Sequence, residues 1–384
     1  MRTIGVVTTS RADYGIYRPI LRKIEADPDL KLELFVTGMH LLPHFGLTVR
    51  EIEADKFEIA ERVEMLLASD EPGAIAESMG LGTIGFGKVF ARRRPDILVV
   101  LGDRFEMHAA ALAAVPFGIP IAHIHGGELS QGAIDEVFRH SLTKMSHLHF
   151  VSTEGHGRRV RQLGEEPWRV VVSGAPALDQ LGLLRLMSRE DLERAFGLRL
   201  ETGFLLVTFH STTLEIDQAE KQIEELLRAL KEAGRPAIAT MPNADPGGRL
   251  IWDRIQRASR EGANLQIVMN LGTQAYFSMM ALADAMVGNS SSGLIEAPSF
   301  KLPVVNIGNR QKGRERARNV IDVGYSKNEI VQGIRKALDP AFRDSIRDLV
   351  NPYGSGNASG IIVSTLKQVG LGGKLIVKRF HDQP

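Results

Sequence analysis

Two Rossmann-like α/β domains, each built on a parallel sheet covered on both faces, are what this 384-residue sequence predicts. Three observations lead there. The chain is longer than one hydrophobic core usually supports. Short apolar runs rich in β-branched residues alternate with amphipathic helical stretches, and runs apolar at nearly every position mark strands buried on both sides. The alternation pauses around residues 175–197 and then restarts, which divides the chain into 1–178 and 179–357.

Taken in order, residues 4–9 read as the first strand, and Tyr17, Ile20, Leu21 and Ile24 follow at helical spacing. Residues 32–36, 97–101, 119–124, 148–152 and 170–173 are further strands, with an Ala-rich helix over 107–115. The second cycle opens with a strand at 204–209 and a helix over 216–233. A strand at 237–240, a helix near 250–259 and strands at 265–268, 285–287 and 304–307 complete it. No short-period repeat and no low-complexity segment interrupts the pattern.

Composition excludes several classes of function. Hydrophobic residues make up 43% and charged residues 24%, as in an ordinary globular protein. With 47 basic and 46 acidic side chains the net charge is +1, which gives neither nucleic acid nor an anionic membrane a general handle. The absence of cysteine removes disulfides, thiolate nucleophiles and thiolate metal sites. The opening MRTIGVVTTSRADYG breaks its apolar run too early for a signal peptide, and no run reaches the ~18 apolar residues of a membrane span. A cytoplasmic location is expected. Gly80-Leu-Gly82-Thr-Ile-Gly85 matches a dinucleotide fingerprint only on paper. It has no strand before it and lies inside a helical pattern beginning near Gly73, so close packing against another helix is the expected role.

In a parallel α/β sheet, ligands bind beyond the carboxyl ends of the strands. The residues just past those ends are Ser10-Arg11-Ala12-Asp13, Thr37-Gly38-Met39-His40, Gly102-Asp103-Arg104-Phe105-Glu106 and His123-Ile124-His125-Gly126-Gly127-Glu128. In the second half they are His210-Ser211-Thr212-Thr213, Met241-Pro242-Asn243-Ala244-Asp245, Gly288-Asn289-Ser290-Ser291-Ser292-Gly293 and Gly308-Asn309-Arg310-Gln311. Small residues at 288–293 before a helix over 294–299 leave backbone N–H groups at the positive end of a helix dipole, which suits a phosphate. The hydroxyls of Ser290, Ser291 and Ser292 add donors, and Glu296 sits one turn on, within reach of an attached ribose. A plain serine N-cap with a solvated glutamate would look the same. Arg310, Arg314 and Arg316, arriving after the next strand, favour the anion site, because guanidinium forks suit diphosphates.

The first half supplies acids and imidazoles. Asp103 and Arg104 could pair with each other or act separately. His123 and His125 alternate along a strand, so one faces the ligand side and the other is a core histidine. Glu128 follows two glycines that would let a substrate approach. Asp135, Arg139 and either Glu136 or His140 can share one helix face, and a solvated charged face is the plain alternative. His210 could contact a phosphate or a sugar. No H-E-x-x-H or compact ligand set points to a metal, and no G-x-S-x-G elbow points to a serine hydrolase.

In this order the segments SRADYG, VTGMHLLPHFG, LGDRFE, HIHGGE, AIDEVFRHSLTKMSHLHF, GNSSSGLIE and NIGNRQKGRER resemble the hydrolysing UDP-N-acetylglucosamine 2-epimerases of sialic-acid biosynthesis. The likeness runs from residue 10 to about 320. It implies a GT-B-like pair of domains with a central cleft, and a C-terminal helix over 358–369, within the segment 358–384, that returns to the first domain. It implies Asn243, Ser290, Ser291, Glu296 and Arg310 as nucleotide ligands, and Arg11 and His210 on the diphosphate. His40 and Arg104 join the substrate-binding set. Asp103 and Asp135 carry over as catalytic carboxylates, whereas the further acid/base is open between His125 and Glu128, since some relatives have a glutamate where this chain has His125. The implied reaction converts UDP-N-acetylglucosamine to N-acetylmannosamine and UDP through a glycal, without cofactor or metal, in a homodimer or homotetramer. A UDP-linked 2,4-diacetamido-trideoxy sugar of legionaminic-acid synthesis is an alternative substrate. A non-hydrolysing epimerase, a GT-B glycosyltransferase and a non-catalytic nucleotide-sugar binder are the other readings.

Overall fold

The computed structural model describes the chain except residues 68, 70, 131–133, 183, 201–202, 243–246, 263, 270 and 383–384. It divides into two compact units, Met1–Gln180 with Tyr353–Pro384, and Leu181–Pro352. The chain therefore returns to the first unit at Tyr353, ahead of the helix expected to carry it there.

The first unit holds β1 (Arg2–Thr8), β2 (Leu30–Thr37), β3 (Ile59–Val63), β4 (Ile97–Leu101), β5 (Ile121–Ile124), β6 (Leu148–Val151) and β7 (Val170–Val172). Their order across the sheet is β3-β2-β1-β4-β5-β6-β7, and every pairing is parallel. The second unit holds β8 (Leu205–Thr208), β9 (Ala237–Thr240), β10 (Leu265–Val268), β11 (Ala285–Gly288), β12 (Val304–Ile307) and β13 (Val320–Val323). Its order is β10-β9-β8-β11-β12-β13, again all parallel. Both are doubly wound sheets whose order reverses once, between β1 and β4 and between β8 and β11. Connections leave in opposite directions at such a point, which opens a crevice at the strand carboxyl ends.

Burial follows the sequence pattern. All five residues of β4 and all four of β8 are buried. The first core joins Ile4, Val6 and Val99 to Ile362 and Leu366 from the returning segment. That segment is also tied by polar bonds. Asp179 accepts from the N–H groups of Ala358 at 2.8 Å and Ser359 at 2.6 Å, and the Ala175 N–H donates to the Tyr353 carbonyl at 2.7 Å. Buried Arg169 donates to the carbonyls of Lys374, Leu375 and Val377.

Gly80, Gly82 and Gly85 lie within one long helix, Pro72–Arg92, not at a strand–helix turn. A Cβ on Gly82 would stand 2.6 Å from Met65 and 3.1 Å from Ala109 on the neighbouring helix, so the glycine permits close packing. Among the described residues no helix is long and apolar enough to cross a membrane.

Four elements differ from the sequence expectation. The edge strands β3 and β13 have no fully apolar run, because an edge strand meets solvent and carries charges such as Glu61, Arg62 and Asp322. The helix expected over 216–233 begins at Ala219, after a 3₁₀ stretch Thr213–Gln218. The helix expected over 294–299 is one α turn, Ser292–Ile295, followed by a 3₁₀ turn Ala297–Phe300. Pro298 supplies no N–H to continue the α ladder.

Candidate active site

In the first unit the turns after β1, β4 and β5 carry the polar groups. Ser10 caps the helix Arg11–Ala26, and Asp13 in its first turn closes a capping box. Asp13 accepts from the N–H and hydroxyl of Thr9 and of Ser10, and from the Thr8 hydroxyl. The turn that presents Arg11 is therefore rigid, while Arg11 itself reaches outward to Glu51 at 3.1 Å.

His40 is fully buried. Its Nε2 lies 3.0 Å from the Thr8 hydroxyl and its Nδ1 lies 2.7 Å from the Thr48 hydroxyl. Burial lowers its pKa to about 4, so it is neutral. Both ring nitrogens of His40 are thus taken by threonine hydroxyls. The residue supports the β1 turn.

Asp103 and Arg104 do not pair with each other. Arg104 forks onto fully buried Glu106, at 3.1 and 2.7 Å. Asp103 is held by Arg139 and by the Ser130 hydroxyl at 3.0 Å. Asp135 begins the helix Asp135–Met145 that bears Arg139. Burial first, and then the Asp103 charge, push the Asp135 carboxyl up. Two neighbouring carboxylates are thus made unequal, one salt-bridged and one biased toward its protonated form, a common division of acid and base roles.

The two strand histidines separate as the pleat requires. His123 is a core residue, its Nε2 2.7 Å from the Gly102 carbonyl, and burial lowers it to about 3. His125 sits past the end of β5 with φ at 65°, a left-handed conformation that is strained for a non-glycine residue. It is held by Glu128 and by the Ser152 hydroxyl, both at Nδ1, and by the bond from its N–H to the Phe150 carbonyl at 3.0 Å. Its Nε2 is buried with no partner among the described residues. Burial opposes ionisation of Glu128, but His125, Arg139 and His156 hold its carboxyl well below the usual range. An ionised Glu128 bonded to His125 and Ser152 orients the imidazole and has no proton to donate.

The second unit gathers hydroxyl, amide and guanidinium groups in a corner at its own switch point. Gly288 adopts φ 144°, and a Cβ there would stand 2.0 Å from the Thr208 carbonyl, so glycine is required where β11 crosses β8. Asn289 is fully buried and bonds both the N–H and the carbonyl of His210. The Asn289 carbonyl accepts from Arg310 at 3.3 Å and Gln311 at 2.8 Å, which brings the turns after β8, β11 and β12 together. Ser290 and Ser292 share a hydroxyl–hydroxyl bond of 2.7 Å, continued by Tyr276 at 2.9 Å and Thr208 at 3.1 Å. The N–H groups of Ser290 and Ser291 find no acceptor among the described residues. Because the helix behind them is a single turn, its dipole is small, and these local donors carry the attraction for an anion.

Glu296 has one carboxyl oxygen buried without a partner, and burial raises its pKa to about 7. Such a group is poised to bond a ligand hydroxyl. Burial, then repulsion from Arg310, lowers His210 to about 4, so it meets a ligand as a neutral imidazole. Asn243 lies outside the described residues. Arg316 pairs with Asp322 at 2.9 Å and donates to the Gln311 carbonyl at 2.8 Å, so it is a bracing residue.

Several groups that build the site are not singled out by the sequence. Asp13 and Asn289 carry readable signals, a capping box and a strand-end asparagine. Glu106 carries the strand-end signal of the segment 102–106, and Ser130 and Ser152 carry none. Among the described residues no group of three or more His, Asp or Glu is placed to hold a metal ion.

A model of the UDP-N-acetylglucosamine 2-epimerase family matches residues 22–367. The GDP/UDP-N,N'-diacetylbacillosamine 2-epimerase (hydrolyzing) of Campylobacter jejuni is 40% identical over 99% of this chain and 99% of its own. The UDP-N,N'-diacetylbacillosamine 2-epimerase (hydrolyzing) of Legionella pneumophila is 38% identical over 98% and 99%. The crystal structure of UDP-GlcNAc 2-epimerase from Neisseria meningitidis bound to UDP-GlcNAc superposes with a TM-score of 0.81, at 20% identity, over 95% of this chain and 99% of that one. At that identity the likeness shows the fold, a GT-B-like pair of parallel α/β sheets.

Proposed function

The chain belongs to the UDP-N-acetylglucosamine 2-epimerase family, and from that premise we propose that it is a hydrolysing 2-epimerase of a UDP-linked 2,4-diacetamido-2,4,6-trideoxy sugar. One observation carries the reaction: two unequal carboxylates, Asp103 and Asp135, at the switch point of one unit, with an anion corner at the switch point of the other. The two full-length relatives at 40% and 38% identity, both named for diacetylbacillosamine, support the choice of sugar over UDP-N-acetylglucosamine. UDP-N-acetylglucosamine, the sugar in the family's description, is the second reading.

The chemistry follows from what is acidic in the substrate. The C2 proton has no adjacent carbonyl, so direct removal is very unfavourable. Cleavage of the C1–O bond first, with the electron pair leaving on UDP, makes C1 oxocarbenium-like and the C2 proton acidic. Ser290, Ser291, Arg310 and neutral His210 receive the departing diphosphate, and Glu296 bonds the ribose. Asp103, salt-bridged to Arg139, offsets the positive charge at C1. Loss of the C2 proton to a base gives a glycal. An acid, for which Asp135 is biased, then returns a proton to the opposite face of C2 while water adds its hydroxyl to C1. The sum is substrate plus water giving the free 2-epimer and UDP, with no redox change. Arg11 at the rigid β1 turn is a further diphosphate contact in this reading. Cytoplasmic location and a homodimer or homotetramer belong to the same proposal.

The test is proton NMR of purified protein in D2O with each UDP-sugar in turn. Free 2-epimer deuterated at C2, together with UDP, from the diacetamido substrate is the expected result. Turnover of UDP-N-acetylglucosamine alone would move the assignment to the second reading. A UDP-linked epimer as the only product would defeat the hydrolytic reading.

A further inference from the structure

We infer that Arg139 is a positioning residue that holds the catalytic carboxylate of Asp103 through a buried guanidinium fork, an inference that rests on the reading of Asp103 above. Arg139 is 4% exposed on the helix Asp135–Met145, one turn after Asp135. A buried guanidinium is costly unless several of its donors are bonded. Here the two Nη groups converge on one task, while Nε is buried with no partner among the described residues. Nη1 donates to the His125 carbonyl at 2.8 Å. Nη2 donates to the Asp103 carboxylate and to the Ser130 hydroxyl, the latter at 3.0 Å, and that hydroxyl in turn donates to the same Asp103 oxygen at 3.0 Å.

The left-handed backbone at His125 now has a reason. It lies just past β5, and its carbonyl is the second anchor of the fork. Glu128 and Ser152, at the His125 imidazole, and Phe150, at its N–H, keep the residue in that conformation. A second route ties the same helix to the same turn. The Thr143 hydroxyl is 3.0 Å from the Arg139 carbonyl and 3.3 Å from His123 Nδ1, and His123 Nε2 meets the Gly102 carbonyl at 2.7 Å. Gly102 and Asp103 are thus held from one helix by side chain and by backbone. A lysine at 139 would supply the charge but not the planar fork that spans Asp103 and His125.

The experiment compares the full-length protein with Arg139→Lys and Arg139→Ala, measuring kcat, KM and UDP affinity, with folding followed by circular dichroism. A reacting group displaced by about 1 Å costs about 10²-fold in rate. The expected result is therefore a fall in kcat of about that size in both variants, with KM and UDP affinity changing by less than about threefold. Added guanidinium ion at low concentration should restore part of kcat in Arg139→Ala and not in Arg139→Lys. Unchanged kcat in both, a loss confined to KM, or failure of both variants to fold would overturn the inference, the last by making Arg139 a folding residue. A crystal structure of Arg139→Lys reads the clamp independently of any substrate. A shifted Asp103 carboxylate supports it and an unmoved one refutes it. Wild-type protein inactive on both UDP-sugars would instead defeat the proposed function, leaving that structural readout to judge Arg139.

Discussion

Asn289 grips the backbone of His210 at both ends, accepting from its N–H at 2.7 Å and donating to its carbonyl at 2.8 Å. One side chain on the strand-end turn after β11 thereby sets the conformation of the turn after β8. Replacing it with alanine removes both bonds inside a buried region. Each buried backbone group that loses its partner costs about 1–3 kcal/mol. Asn289→Ala should therefore lower the melting temperature and weaken UDP binding, as read by calorimetry. Asn289→Asp keeps the acceptor but not the donor and should fall between the two. Equal UDP affinity in all three proteins would remove Asn289 from the anion corner.

Asp103 and Asp135 are coupled, because the Asp103 charge helps raise Asp135. Asp103→Asn and Asp135→Asn should each lower kcat by about 10²–10⁴-fold, the usual worth of a positioned acid or base. UDP affinity should stay near wild type, since neither aspartate is among the groups assigned to UDP. In Asp103→Asn the Asp135 carboxyl should also titrate at lower pH, which carboxyl-selective NMR can follow. Near-normal turnover by both folded variants would dismiss the proposed mechanism.

Glu296 combines the ligand role proposed above with a cost in stability. Its pKa is raised to about 7 in the folded state, against about 4.5 for an exposed glutamate. Between those values the folded form binds the proton and the unfolded form does not. Its contribution therefore favours folding less and less as pH climbs from about 4.5 to 7, and the penalty is complete above 7. Glu296→Gln should stabilise the protein at pH 8 by about 1–3 kcal/mol, leave it little changed at pH 4.5, and weaken UDP binding. Melting curves of both proteins at the two pH values decide the point. A variant less stable than wild type at pH 8 would contradict the raised pKa.

Histidines shift in the opposite sense. His40, His147 and His210 are lowered to about 4 and His123 to about 3, in each case first by burial. Below the ordinary value of about 6.5 the unfolded chain takes up protons that the folded chain refuses. The stability these residues contribute is complete above about 6.5 and is lost as pH falls toward 4. Thermal melts should show a marked decline over that interval, and His123→Gln should reduce the slope. A flat profile from pH 6.5 to 4 would be the contrary result.

What was legible in the sequence was what repeats locally. β4 is apolar at every position and β8 at all but its last, Thr208, so their place in a double-faced sheet could be read directly. The polar residues just past the strand ends were legible as well, among them the turns that flank the two switch points, but the strand order that makes them switch points was not. Pairings across the sheet were not legible. Asp103 and Arg104 are adjacent in sequence, yet Asp103 bonds Arg139 and Arg104 bonds Glu106, since neighbouring residues on a turn point different ways. His40 carries the same strand-end signal as a ligand, and only its two threonine partners, at positions 8 and 48, reveal a bracing role. Pro298 was visible, but whether it would shorten the helix behind Ser290 depended on the turn before it.

The first unit is assembled from both ends of the chain, with Ile362 and Leu366 in the same core as Ile4 and Val99. On a ribosome, where domains tend to fold as they emerge, this has an unequal consequence. The unit begun first cannot finish until about 170 residues of the other have been made, so the later-translated unit is the one free to fold early. A premature stop or frameshift near codon 355 would spare the second unit and cripple the one that carries Asp103 and Asp135, hundreds of residues upstream of the lesion.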